Sequence, residues 1–241
     1  MFKLSSLTTA AAVVLAANVQ AQTASDAAAY VALMRTAVAG LPPIATSTIL
    51  GDHQDGAAFS VRYGNVSAGD ITNSLNNFTA TAVLPAGGAS SISLTAGASA
   101  PSRGSSALVL GIAGDTRLTD LTMSDSRNAT LLRVGLNGEF GYSHPSGASL
   151  LAGSVGLPFS LITRGGSRDA LRLVPFITPA FGFGDLNPEV GTSGSAMKFM
   201  LGGGVGIYDR TSSVALNLAF QHPFVDGGTT QFGLGLVLGG R

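Results

Sequence analysis

From residue 57 onward the chain alternates between large apolar residues and small or polar ones. In LLRVGLNGEFGY, residues 131–142, Leu132, Val134, Leu136, Phe140 and Tyr142 alternate with Arg133, Asn137 and Glu139. A period of two places the two sets on opposite faces of a β-strand. The same period recurs between clusters of Gly, Ser, Asn, Asp and Pro, and it predicts about ten strands. These lie near 57–64, 77–84, 90–98, 106–114, 130–142, 149–160, 171–183, 197–208, 213–221 and 230–238. Eight is the alternative count. The link 115–129 reads as a long turn, and Pro158, Pro175 and Pro179 inside strands predict local bulges, because proline removes a ladder donor.

The two faces differ in kind. One carries Phe59, Val61 and Tyr63 in the first strand, Leu216, Leu218 and Phe220 in the ninth, and Phe232, Leu234 and Leu236 in the tenth. The other carries Ser91, Ser93, Thr95 and Gly97 in the third, Ala152, Ser154 and Gly156 in the sixth, and Gly202, Gly204 and Gly206 in the eighth. A soluble sandwich fills its outer face with Lys, Glu, Gln and Arg. Here the strand charges Arg62, Arg133, Glu139, Arg172 and Lys198 all fall among the small residues, and none falls on the apolar face.

Composition turns this asymmetry into an orientation. Charged residues make up only 11% of the 241, hydrophobic residues reach 45%, and lysine occurs only at Lys3 and Lys198. Too little charge is present to solvate a small-residue exterior. If the large residues face lipid instead, the small ones line a narrow lumen, and the five charges point inward where they can pair. Leu132, Val134, Leu136, Leu216, Leu218, Leu234 and Leu236 are then lipid-facing. Tyr63, Phe78, Tyr142, Phe183, Phe199, Phe220 and Phe232 sit near the outer ends of their strands, as an interfacial aromatic girdle would. The fold expected is all-β: a transmembrane antiparallel up-and-down β-barrel over residues 57–239, with both termini on the periplasmic side.

The N-terminal region reads as export machinery. Lys3, the apolar run TTAAAVVLAA and the small residues ending at Ala21 describe a cleaved signal peptide over 1–21. Residues 22–56 read as a periplasmic segment with a short helix, capped by Ser25 or Asp26 and ended by Gly40 and Pro42-Pro43. Cysteine is absent, so disulfides and thiol chemistry are excluded. The net charge of zero gives no electrostatic case for nucleic acid.

Alternation, inward Gly, Ser and Ala, and a final QFGLGLVLGG strand together resemble the small outer-membrane β-barrel proteins of Gram-negative bacteria. The resemblance is one of pattern. It implies an outer-membrane location, outer-membrane lipid and lipopolysaccharide as surroundings, the barrel assembly machinery as a partner, and no cofactor. Members usually finish on an aromatic residue, whereas this chain finishes Leu238-Gly239-Gly240-Arg241.

Site chemistry is sparse. His53, His144 and His222 lack metal-ligand spacing. His144-Pro145-Ser146 resembles the His-x-Ser arrangement of outer-membrane lipid A deacylases, in which His activates a Ser nucleophile. No acidic residue follows at a useful distance, and a hairpin turn explains the same residues. Arg164 and Arg168 in RGGSRD read as a solvated turn. The function expected is a non-enzymatic barrel with a narrow or closed polar lumen, serving envelope structure or surface interaction. A passive pore for small solutes and an exported soluble β-sandwich or ligand-binding barrel are the alternatives.

Overall fold

The structure, a computed structural model, describes residues 57–66, 75–101, 106–123, 129–144, 148–164, 171–188, 194–209, 214–224 and 230–239. The expected signal peptide and N-terminal helix lie outside these residues. The described residues form eleven strands: β1 (Ala58–Val66), β2 (Leu75–Pro85), β3 (Ser90–Pro101), β4 (Ala107–Thr122), β5 (Ala129–Ser143), β6 (Ala148–Gly156), β7 (Phe159–Arg164), β8 (Leu171–Pro188), β9 (Gly194–Asp209), β10 (Val214–Pro223) and β11 (Gln231–Gly239).

β6 and β7 form one stave interrupted at Leu157-Pro158, so the barrel has ten. Asn137 faces Gly156 and Val134 faces Phe159, which leaves the register of β5 unshifted across the interruption. β1 pairs with both β2 and β11, and β4 with β5, so an antiparallel sheet closes on itself. Closure leaves no edge strand and satisfies the backbone without covering layers. At one tight connection, between β2 and β3, Gly87 and Gly88 take φ of 91° and 63°, a region that glycine enters without steric cost. The Ala86 N–H donates to Ser90 O across that turn at 3.0 Å.

Two expectations are corrected. The prolines make no bulge: β8 keeps one register against β9 through Pro175 and Pro179. Around Pro158 the ladder survives through its acceptor, since the Gly135 N–H donates to Pro158 O at 2.9 Å, and the Leu157 N–H donates to Pro179 O at 3.0 Å. Proline cannot return either bond, so each position loses one ladder bond without displacing the strand.

The second correction concerns 115–129. β4 runs on to Thr122 and β5 begins at Ala129, so most of the supposed turn is strand. The bulge is here, between Arg117 and Thr119. Leu118 is the extra residue, and it switches the alternation: Asp115 faces Asn137 before it and Asp120 faces Arg133 after it. An uninterrupted period of two would send residues 115 and 120 to opposite faces; the bulge puts both with the inward residues of β5.

Burial follows the alternation with the usual polarity reversed. Phe59, Val61, Leu94, Leu110, Ile112, Leu218, Leu234 and Leu236 are exposed, while Ser60, Thr81, Thr95, Asn137, Ser154 and Asn217 are buried.

Candidate functional site

The barrel interior brings together side chains that are far apart in sequence. Arg62 from β1, Arg133 and Glu139 from β5, and Asp115 from β4 are 5%, 1%, 8% and 8% exposed. Arg172 lies on the same parity as buried Val174 and Phe176 and is itself half-buried. Lys198 stands opposite Gly182 in the β8–β9 ladder; its side chain lies outside the described residues. Asp115 and Asp120 are interior acids that the sequence reading missed, because both fell inside the supposed turn.

The interior charges have partners of two kinds. Arg133 donates from Nε to Asp120 Oδ1 at 2.9 Å and from Nη2 to Asp120 Oδ2 at 3.0 Å, a bidentate fork. Arg117 approaches the same carboxylate from the rim, 3.7 Å away. Asp115 accepts from Ser91 Oγ, and Glu139 accepts from Ser154 Oγ at 2.7 Å. Arg62 and Glu139 lie near enough to attract each other. Its aliphatic stem passes over Gly235, whose missing side chain leaves the room, beside Asn217.

Apolar side chains share the interior with these charges. Leu131, Ile162, Val174, Phe176 and Ala219 form one buried cluster. Ala58, Val83 and Val237 form another, and Ala215 packs against both. Residues from β1, β2, β5, β7, β8, β10 and β11 thus meet in one layer. The glycine run of β9 makes room for it: Phe176 lies opposite Gly204, where a Cβ would strike the ring and Leu218 O. On the outer wall the neighbouring Gly203 is covered by Phe220 in the same way. Close packing therefore explains Gly203 and Gly204, on the two faces of the wall.

Outside, most of the exposed aromatic residues gather at the end away from the termini. Tyr63, Phe78, Tyr142, Phe199, Phe220 and Phe232 are exposed and Phe183 is half-exposed. Several pack together: Tyr63 with Phe78, ring centroids 5.1 Å apart, Phe181 with Phe199 at 5.6 Å, and Phe199 with Phe224 at 5.4 Å. Between the two ends lie aliphatic side chains, including exposed Leu218, Leu234 and Leu236 and half-exposed Leu132, Val134, Leu136 and Leu216.

His144 ends β5 with its ring stacked on Tyr142, centroids 6.5 Å apart; Pro145 and Ser146 lie outside the described residues. His222 shares a hydrogen bond of 3.0 Å with Thr230 Oγ1. Among the described residues no group of three His, Asp or Glu could hold a metal ion.

No known protein family and no curated protein matches the sequence. Among solved structures, the outer membrane enzyme PagL is similar over 76% of this chain and 99% of its own, at 13% identity and a TM-score of 0.39. The translocator domain of the autotransporter NalP from Neisseria meningitidis is similar over 88% of this chain and 97% of its own, at 12% identity and 0.34. Ail, the attachment invasion locus protein of Yersinia pestis, is similar over 76% and 96%, at 13% identity and 0.31. The chain's own strand pairing establishes a closed antiparallel β-barrel of ten staves, with charge inside and apolar residues outside.

Proposed function

We propose that this chain is an integral outer-membrane β-barrel whose interior is sealed by its own side chains, and that it serves the envelope as a structural or surface-interaction protein without enzymatic activity. The observation that carries the reading is the reversed burial: a belt of exposed Leu, Ile, Val and Phe surrounds buried Arg, Asp and Glu. Water would leave that belt unpaid for by any core, whereas lipid is its natural solvent. A closed barrel is also one of only two architectures that satisfy every backbone group in a bilayer. Its surroundings are then outer-membrane lipid and lipopolysaccharide, and the barrel assembly machinery is its partner during insertion.

The apolar layer of Leu131, Ile162, Val174, Phe176 and Ala219, joined through Ala215 to Ala58, Val83 and Val237, supports a sealed interior. A hydrophobic constriction excludes water and ions even where its side chains leave narrow gaps. One observation favours the alternative of a passive pore: Arg62 Nε and Nη1, both polar atoms of Asn77, and Asn217 Oδ1 are buried without a protein hydrogen-bond partner among the described residues. Groups of this kind suit a hydrated interior.

Membrane fractionation with electrophoresis of boiled and unboiled samples tests the location. An outer-membrane band whose mobility changes on boiling is expected; a protein that remains in solution without detergent overturns the membrane reading. Planar-bilayer recording then separates sealed barrel from pore, because a steady open current through the unmodified protein is incompatible with the seal.

A further inference from the structure

The outer wall is not uniformly convex. Around the interruption between β6 and β7 it carries a groove of about 320 Å³, lined by Leu136, Val155, Leu157, Pro179, Phe181 and Phe199 among others. Its origin lies in the ladder. Leu157 faces Pro179 across β8, and the compact proline ring stands where neighbouring outward positions carry long side chains. The Phe183 ring, another lining residue, lies over Gly153 of β6, where a Cβ would strike it. Leu136 and Leu157 wall one side, and Phe181 and Phe199, packed edge to face, wall the other.

The groove's chemistry selects its occupant. All its side chains are hydrocarbon or thioether, so nothing in it would orient a polar solute. Its volume lies at the small end of ligand pockets, which run from about 300 to 1,000 Å³. It opens directly onto the exposed belt, with Phe181 and Leu157 belonging to both. We propose that the groove holds one hydrocarbon chain of a bilayer lipid, drawn from the lipid around the barrel. This inference rests on the membrane reading above. A chain lying there restores the contacts that the short Pro179 ring fails to supply, so the occupied groove is favoured over an ordinary annular position by packing alone.

The chain contains no tryptophan, which makes a single introduced one a clean reporter. Phe199→Trp places it at the groove, and Phe78→Trp places it on β2, across the ring of staves from β8. Each folded variant, held in a short-chain glucoside detergent, is titrated with brominated-chain phosphatidylcholine as the minor component, and tryptophan quenching is read.

The expected result is saturable quenching of Phe199→Trp at mole fractions where Phe78→Trp responds only in proportion to the bromolipid. Val155→Phe, which fills the groove, abolishes the excess in the Phe199→Trp background; Leu136→Phe serves the same purpose if that variant fails to fold. Equal, proportional quenching at both positions overturns the groove and leaves the membrane reading standing. A protein that stays soluble without detergent and shows no quenching at either position overturns the membrane reading itself.

Discussion

Arg133 on β5 and Asp120 on β4 are joined by two parallel hydrogen bonds of 2.9 and 3.0 Å inside the barrel. Arg133 is 1% exposed, so its charge is held out of water beside this carboxylate. The pair exists because Leu118 is bulged out of β4, turning Asp120 to the interior. Removing one partner of a buried pair leaves the other charge uncompensated, which costs about 3–5 kcal/mol, whereas removing both costs much less. Asp120→Ala and Arg133→Ala should each lower the urea midpoint for unfolding from detergent micelles, and the double variant should lie above either single one. Additive losses would mean that the two residues act independently.

Deleting Leu118 tests the bulge itself. Without the extra residue, Thr119, Asp120 and Leu121 keep their β5 partners in an unbroken period of two, and Asp120 still faces Arg133. The deletion variant should therefore unfold at a urea midpoint close to the parent's and well above that of Asp120→Ala. A loss as large as that of Asp120→Ala would show that the ladder beyond Arg117 needs the bulge to hold its register.

Charge on the outer wall is the second line of tests. Leu218 is exposed near the middle of β10. Arginine there should cost about 2–4 kcal/mol in a bilayer. Leu218→Arg should therefore reduce the heat-shifting folded fraction recovered from membranes, while Leu218→Phe leaves it unchanged. A soluble barrel would give the opposite order, with arginine tolerated on its surface.

Glycine positions in β9 should respond according to what faces them. A Cβ at Gly204 would meet Leu218 O and the Phe176 ring, whereas one at Gly202 meets only ordinary contacts at 3.7 and 3.8 Å. Overpacking of this kind costs about 1–3 kcal/mol. Gly204→Ala should unfold at lower urea than the parent, and Gly202→Ala close to it. Equal behaviour would mean that Phe176 does not rest on β9.

The seal makes its own prediction. Ile162 and Phe176 are buried in the apolar layer, and truncating both removes two of its three largest side chains. Planar-bilayer recordings should be silent for the parent and show discrete openings for Ile162→Ala combined with Phe176→Ala. Silence from both proteins, with folding verified by heat-shifted electrophoresis, would place the seal elsewhere in the interior.

Alternation along LLRVGLNGEFGY was sufficient to orient Arg133 and Glu139 inward and Leu132, Val134 and Leu136 outward, because a strand's side chains alternate regardless of its neighbours. The same rule placed Arg62 in the interior and Leu218, Leu234 and Leu236 on the wall, and the shortage of charge indicated which face was which. The number of staves also followed from the spacing of turns. Tertiary structure alone decided the rest. A bulge is a relation between two strands, so Leu118 cannot be identified from β4 by itself, and Asp120 stayed hidden as Arg133's partner. Prolines 158, 175 and 179 looked like distortions because each lacks a donor, but paired neighbours on both sides hold their register. The apolar layer, too, assembles residues from seven strands, and only closure of the sheet brings the cluster of Ala58 and the cluster of Phe176 together around Ala215.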